Sequence, residues 1–183
     1  MGAVVQLLPH YLSDPELREL EAWAPNVGYR PVPAWLGNFE FKLFGRAYGK
    51  EHGVLPPEIR PIAERLMRLI PAQAWTTVFV QRYLTGQEVL PHRDPKNNTG
   101  YTVIAVFGDY DGAETTLEGS DVLPDGSLKF GSGADDDRFR LERGDVLILP
   151  CTINGVQGPK HAVSPVTRGI RYTLILNTIE EGR

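Results

Sequence analysis

The period of the apolar positions changes partway along the chain. Ile59, Ile62, Ala63, Leu66 and Ile70 recur at spacings of three and four, which predicts a helix over residues 57–69 with one apolar face. An earlier helix is predicted over residues 13–23. Ser13 can cap it, Pro15 suits its first turn, and Glu16 stands three residues after the cap, where a capping box needs an acceptor. Residues 28–50 are rich in Pro, Gly and aromatic side chains and carry no helical period; they read as irregular strands and turns. After residue 75 the pattern becomes β-branched and aromatic. Residues 76–84, 101–107, 144–149 and 170–177 read as strands. Gly86, Asp111-Gly112, Asp125-Gly126 and residues 131–137 read as turns.

Helices first and strands afterwards predict an α+β chain. Its core is expected to be a double-stranded β-helix, or jelly roll, over residues 76–183, with the N-terminal helices packed on it. Residues 1–75 would be a helical and irregular part able to serve as a substrate lid. At 183 residues the chain is expected to be a single domain. A jelly roll brings together strands that are distant in sequence.

Composition and charge exclude several classes. No apolar stretch approaches the length that spans a bilayer, and residues 1–6 lack the basic start and apolar run of a signal peptide, so no membrane partner is expected. Cys151 is the single cysteine, which rules out an internal disulfide and fits a reducing, cytoplasmic location. Residues 1–75 carry eight basic and eight acidic side chains, and residues 76–183 carry eleven and fifteen, so the second part supplies the whole net charge of −4. That balance argues against a broad grip on nucleic-acid phosphates. It leaves room for a site that takes one nucleotide.

The candidate chemistry lies in His92-Arg93-Asp94, His161 and Arg171. Residues i and i+2 on an extended strand point to the same face, so His92 and Asp94 can share a metal whose third ligand comes from another strand. Two histidines and one carboxylate suit non-haem Fe(II), and three ligands leave open positions. A lone histidine is more often a solvated surface group, and His10 and His52 are read that way. Here three candidate ligands, two histidines and one aspartate, have to be explained at once, each beside a predicted strand. Arg171 begins the last strand and could hold a carboxylate through two parallel hydrogen bonds. A buried arginine is costly unless paired, so a bound dicarboxylate would account for it. Arg168 competes for this role from the 165–169 turn, where it reads as solvated.

Taken in order, these elements resemble the Fe(II)/2-oxoglutarate-dependent dioxygenases over residues 76–177. The match runs through His92-Arg93-Asp94, Gly144-Asp145-Val146, His161-Ala162-Val163 and Gly169-Ile170-Arg171-Tyr172. The resemblance implies that His92, Asp94 and His161 hold Fe(II) and that Arg171 binds the far carboxylate of 2-oxoglutarate. It further implies O2 as cosubstrate, ascorbate as reductant and hydroxylation of a C–H bond, with succinate released. Gln81-Arg82-Tyr83, Gly86 and the chain's end at Arg171–Asn177 are similar to the AlkB family. That likeness makes Tyr83, Gln81 and Asn177 further cosubstrate contacts, with Asn177 where those proteins carry a second Arg. The run His92–Val103 resembles the TET/JBP family, in compact microbial or phage forms, so a bacterial or phage-infected cell is the expected setting. There Asn97 would read a base, although Asn97–Gly100 also has the makings of a simple turn. Asp111–Thr115 with His161–Thr167 looks like the prolyl-hydroxylase group.

The aromatics Trp35, Phe39, Phe41, Phe44 and Tyr48, with Arg30, Lys42 and Arg46, stand where the AlkB layout has a lid. Phe39 and Phe41 read more simply as core. Arg93, Asn97, Trp35 and Arg46 are the candidate substrate contacts. The leading expectation is oxidation of 5-methylcytosine in DNA, with a single flipped base as partner and the protein a monomer. The alternatives are an AlkB-like demethylase of alkylated bases, or a hydroxylase of an amino-acid, peptide or natural-product substrate, which the acidic charge favours. A jelly roll that binds metal without turnover and a zinc hydrolase are the opposing classes; neither would consume 2-oxoglutarate.

Overall fold

The computed structural model describes residues 4–181. The first helix spans Asp14–Trp23, and both halves of its capping box form: Ser13 Oγ accepts from Glu16 N at 3.3 Å, and the Glu16 carboxylate accepts from Ser13 N at 2.9 Å. The second helix spans Arg60–Met67. It is shorter than its apolar period suggests because a turn accepted by Pro56 O, from Ile59 N and Arg60 N, precedes it.

The strands form a large antiparallel sheet in the order Gln6–Leu8, Val146–Pro150, Asn98–Phe107, Arg171–Ile179, Thr77–Tyr83, Glu40–Ala47, Arg30–Pro31, with Lys50–Glu51 paired to Glu40–Ala47. A small sheet runs Asp137–Arg140, Glu114–Leu117, His161–Val163, Val89–His92. Two strand pairs complete the set: Ser120–Val122 with Leu128–Phe130, and Tyr110–Gly112 with Val166–Gly169. The result is an α+β, strand-rich double-stranded β-helix with helices at its N-terminal side. No helix among the described residues is long and apolar enough to cross a membrane.

Strand parity divides the large sheet into two faces. Leu174, Leu176, Val78, Val80, Val103, Ala105, Val146 and Ile148 cluster with Leu17 and Leu20 of the first helix and Ile59, Ile62 and Leu66 of the second. Their odd-numbered neighbours on the last strand, Arg171, Thr173, Ile175 and Asn177, point the other way, paired across to Tyr83, Gln81, Phe79 and Thr77. Because the side-chain period is two, a one-residue slip would move every one of these groups to the wrong face. The packed helix face therefore fixes the register that aims the functional face.

Two segments differ from the sequence reading. Residues 28–50 contain a regular eight-residue strand, Glu40–Ala47, hydrogen-bonded to Thr77–Tyr83. Its alternation of Phe41 and Leu43 with Lys42 and Phe44 was masked by the Pro and Gly around it. The 165–169 segment is mainly strand, since Val166–Gly169 pairs with Tyr110–Gly112, and Asp111-Gly112, expected as a turn, lies within that second strand.

Candidate metal centre

His92 closes one small-sheet strand and His161 opens its antiparallel neighbour, and the two stand opposite one another in the ladder. Asp94 follows His92 by two residues. Its Oδ1 lies 3.5 Å from His92 Nε2 and 3.7 Å from His161 Nε2, and the donor atoms of the three residues all fall within 4.8 Å of one another. Both imidazoles are held from behind, His92 Nδ1 at 2.9 Å from Leu90 O and His161 Nδ1 at 3.0 Å from Pro159 O. Those carbonyls can only accept, so Nδ1 carries the proton and Nε2 keeps a lone pair for a metal.

Electrostatics favour the ligating forms of Asp94 and His161 and oppose that of His92. Burial alone would raise the Asp94 carboxyl, but the His161 and His92 imidazoles outweigh it and hold the group at about 2. Burial pushes His161 below the ordinary imidazole value. His92 is raised despite its burial, because Asp94 and the Leu90 carbonyl favour its charged form. A site of two nitrogens and one ionised oxygen donor fits Fe(II).

The turn that carries Asp94 is tied to the 151–160 loop. Cys151 Sγ donates to Asp94 Oδ2 at 3.3 Å, and Gln157 Nε2 donates to Asp94 O at 2.9 Å. Arg93 Nη1 donates to Gly158 O at 2.8 Å, while its Nη2 donates to Glu118 Oε1 at 2.7 Å. Glu118 Oε2 in turn accepts from Lys160 N, one residue before His161. Gly158 is needed for this approach, since a Cβ there would stand 1.9 Å from Pro150 O.

A cavity of about 400 Å³ lies between the two sheets, and all three ligands line it. Arg171 also lines it and is only 2% exposed. Its guanidinium carbon sits 4.9 Å from the Tyr83 ring centroid and 5.9 Å from that of Tyr110. Among the described residues no carboxylate pairs with it, and its buried Nε has no hydrogen-bond partner. A buried cation in that condition is costly, and a ligand carboxylate relieves the cost. Arg168, by contrast, is exposed and paired with Asp109 and Asp111. Tyr83 donates to Gln81 Oε1, which also accepts from Thr173 Oγ1 at 3.1 Å. Burial raises the Tyr83 hydroxyl against the opposing charge of Arg171, so it stays protonated as a donor. The residues present thus fit Fe(II) at one end and a dicarboxylate such as 2-oxoglutarate held by Arg171.

Asn177 is buried on the same wall and accepts from Asn98 Nδ2 at 3.2 Å. Asn98 did not stand out in the sequence because it falls in a run with the composition of a turn; its Oδ1 is buried and unpaired. Asn97 and Trp35 line the cavity, and Trp35 is 59% exposed with its ring 6.2 Å from that of His92. Phe41 and Tyr48 also line it, and Phe39 is buried and stacked on Tyr83 at 4.5 Å. Phe44 instead faces Trp23. Arg93 and Arg46 are not among the lining residues. Arg93 is engaged by Glu118, and Arg46 is exposed and paired with Glu181 at 3.3 Å.

No protein-family profile and no curated protein matches this chain. Solved structures do. An oxidoreductase of the 2OG-Fe(II) oxygenase family from Burkholderia pseudomallei superposes with a TM-score of 0.69 at 17% identity, over 98% of this chain and 88% of that one. This chain has the 2OG-Fe(II) oxygenase fold. A Pseudomonas putida prolyl-4-hydroxylase gives 0.66 at 15% identity, over 98% and 94% of the two chains. The viral collagen prolyl hydroxylase of Paramecium bursaria Chlorella virus 1 gives 0.62 at 18%, over 97% and 98%. In this oxygenase fold, the His92, Asp94 and His161 cluster belongs to the small sheet and its edge, and Arg171 to the large one.

Proposed function

We propose that this protein is an Fe(II)/2-oxoglutarate-dependent dioxygenase that hydroxylates a C–H bond. One oxygen atom of O2 enters the product alcohol and the other enters succinate, as 2-oxoglutarate loses CO2. The carrying observation is a buried arginine, without a carboxylate partner among the described residues, in the same cavity as a His–Asp–His cluster. Iron, when bound, supplies the centre at which O2 and 2-oxoglutarate react. The chain's own residues do the rest. His92, Asp94 and His161 ligate through Nε2, Oδ1 and Nε2. Arg171 neutralises and orients the far carboxylate, with the Tyr83 ring packed against its guanidinium. Phe41, Leu43, Phe79 and Ile175 wall the cavity with apolar surface, which excludes water from the reacting atoms.

For the substrate we infer an amino-acid side chain within a peptide. Asp94 is the only carboxylate among the described lining residues, so the cavity offers no counter-charge for the ammonium of a free amino acid once the metal is held. Two structural neighbours are named as prolyl hydroxylases, and Asp111–Thr115 resembles that group. A second reading is 5-methylcytosine in DNA. It is favoured by the exposed indole of Trp35 beside His92 and by Asn97 on the cavity wall. The test supplies Fe(II), ascorbate and 2-oxoglutarate with either a pool of proline-containing peptides or DNA carrying 5-methylcytosine, with His161→Ala as the blank. Succinate together with a peptide heavier by one oxygen atom supports the first reading. Succinate with 5-hydroxymethylcytosine replaces it with the second. Absence of succinate above the blank under all conditions would sink the dioxygenase assignment.

A further inference from the structure

Asp94 has two carboxylate oxygens with different surroundings. Oδ1 faces the two imidazole Nε2 atoms at 3.5 and 3.7 Å. Oδ2 accepts from the thiol of Cys151 at 3.3 Å. We propose that Cys151 is a positioning residue for the metal: its S–H holds Oδ2 of Asp94 and thereby keeps Oδ1 turned toward the point shared with His92 and His161. The inference rests on the metal reading of that cluster and goes beyond it, since the thiol itself is not one of the ligating groups.

Three observations carry it. Asp94 follows the strand that ends at His92, so no sheet ladder fixes its side-chain torsion. The restraint must come from side chains, and among the described residues Cys151 is the one that reaches the carboxylate from outside the ligand set. Cys151 is itself fixed. It is 2% exposed, follows directly on the strand Val146–Pro150, and its backbone N donates to Gly100 O at 2.8 Å. The backbone of Asp94 is anchored from the same loop by Gln157, so side chain and main chain are gripped together. Partners of this kind, hydrogen-bonded to a ligand's second atom, typically set metal affinity by about 10- to 100-fold.

Packing is the competing explanation for a buried cysteine, which behaves as a small hydrophobe. Two substitutions pull the explanations apart. Cys151→Val keeps an apolar group of similar size and removes the donor. Cys151→Ser keeps a donor and loses apolar bulk. Co(II) titration of the purified protein, followed by its visible ligand-field spectrum and by calorimetry, reads the site without any substrate. Positioning predicts that Cys151→Val loses about tenfold or more in Co(II) affinity with an altered spectrum, while Cys151→Ser stays close to wild type. Thermal melting should rank the variants the other way, with Cys151→Ser the less stable. If Cys151→Val binds Co(II) like wild type, or Cys151→Ser binds no better than Cys151→Val, the positioning role is overturned and the metal reading stands. If wild type itself fails to bind Co(II), both fall. If Cys151→Val does not fold, the affinity and spectrum of Cys151→Ser against Cys151→Ala decide the same question.

Discussion

The two sheets of this protein solve different problems. The central strands of the large sheet are long, and their helix-facing side is filled by Leu174, Leu176, Val80, Val103 and Ala105, all fully buried. Its geometry comes from backbone ladders and close packing, and it presents Arg171, Tyr83, Gln81 and Thr173 from rigid neighbouring positions. The small-sheet strands are three or four residues long. Its metal ligands stand at strand ends, and their geometry depends on side-chain ties: Cys151 and Gln157 to Asp94, and Arg93 to Glu118 and Gly158. One sheet positions by repetition and the other by individual hydrogen bonds. Single substitutions on the helix-facing side of the large sheet should therefore act on stability, and those at the ties of the small sheet chiefly on metal affinity.

Removing a ligand should give the largest effect. His161→Ala is expected to lower Co(II) affinity by more than about 100-fold, beyond the range of outer partners, and to abolish succinate formation while leaving the melting temperature of the apoprotein close to wild type. A large fall in that temperature would mean that the small sheet also carries the fold. In the large sheet, Leu174→Ala on the helix-facing side should cost about 2–5 kcal/mol of unfolding free energy, measured by denaturant titration, with Co(II) affinity unchanged in the folded fraction. Arg171→Ala should weaken 2-oxoglutarate binding by the equivalent of about 2–5 kcal/mol, read by calorimetry on the Co(II)-loaded protein. Arg171→Lys should recover only part of that, since an ammonium cannot reproduce the two-pronged contact. A loss confined to Co(II) binding would place Arg171 in the wrong role.

The smallest effect is expected at the tie between ligand strands. Glu118→Gln should weaken Co(II) binding by about tenfold through the loosened Arg93. The Glu118 carboxyl lies below its ordinary value, chiefly because Arg93 donates to it. Its contribution to stability is therefore complete above the ordinary glutamate range and is lost as pH falls through the lowered value. Melting curves from neutral to acid pH should show wild type losing stability over that window and Glu118→Gln losing less. Identical profiles would remove Glu118 from this account.

The local rules were largely readable in the chain. The capping box at Ser13 and Glu16 is a contact over three residues, so its chemistry is visible as a spacing. The triad was readable as a set of ligand types, His-x-Asp with a distant His, although the strand ends at His92 and Asp94 lies two residues beyond it. Arg93 carried a usable signal as well: standing between His92 and Asp94, it must face away from their side, and the structure has it turned to Glu118. Other features left no such trace. Glu118 and Cys151 are 25 and 57 residues from their partners, and neither lies in a motif. The strand Glu40–Ala47 was concealed by flanking turn residues.

What the sequence determined by itself is which way each residue can face, because strand and helix periods are properties of neighbouring backbone. It thus determined the ligand types, the cation on the last strand and the two-faced character of the central strands. Only the tertiary structure decided which groups meet across the cavity: that Arg171 has no carboxylate partner among the described residues, that Arg93 is occupied by Glu118, and that a thiol stands behind Asp94. Those pairings follow from the closure of two sheets on one another, and closure depends on the register of the whole barrel rather than on any local spacing.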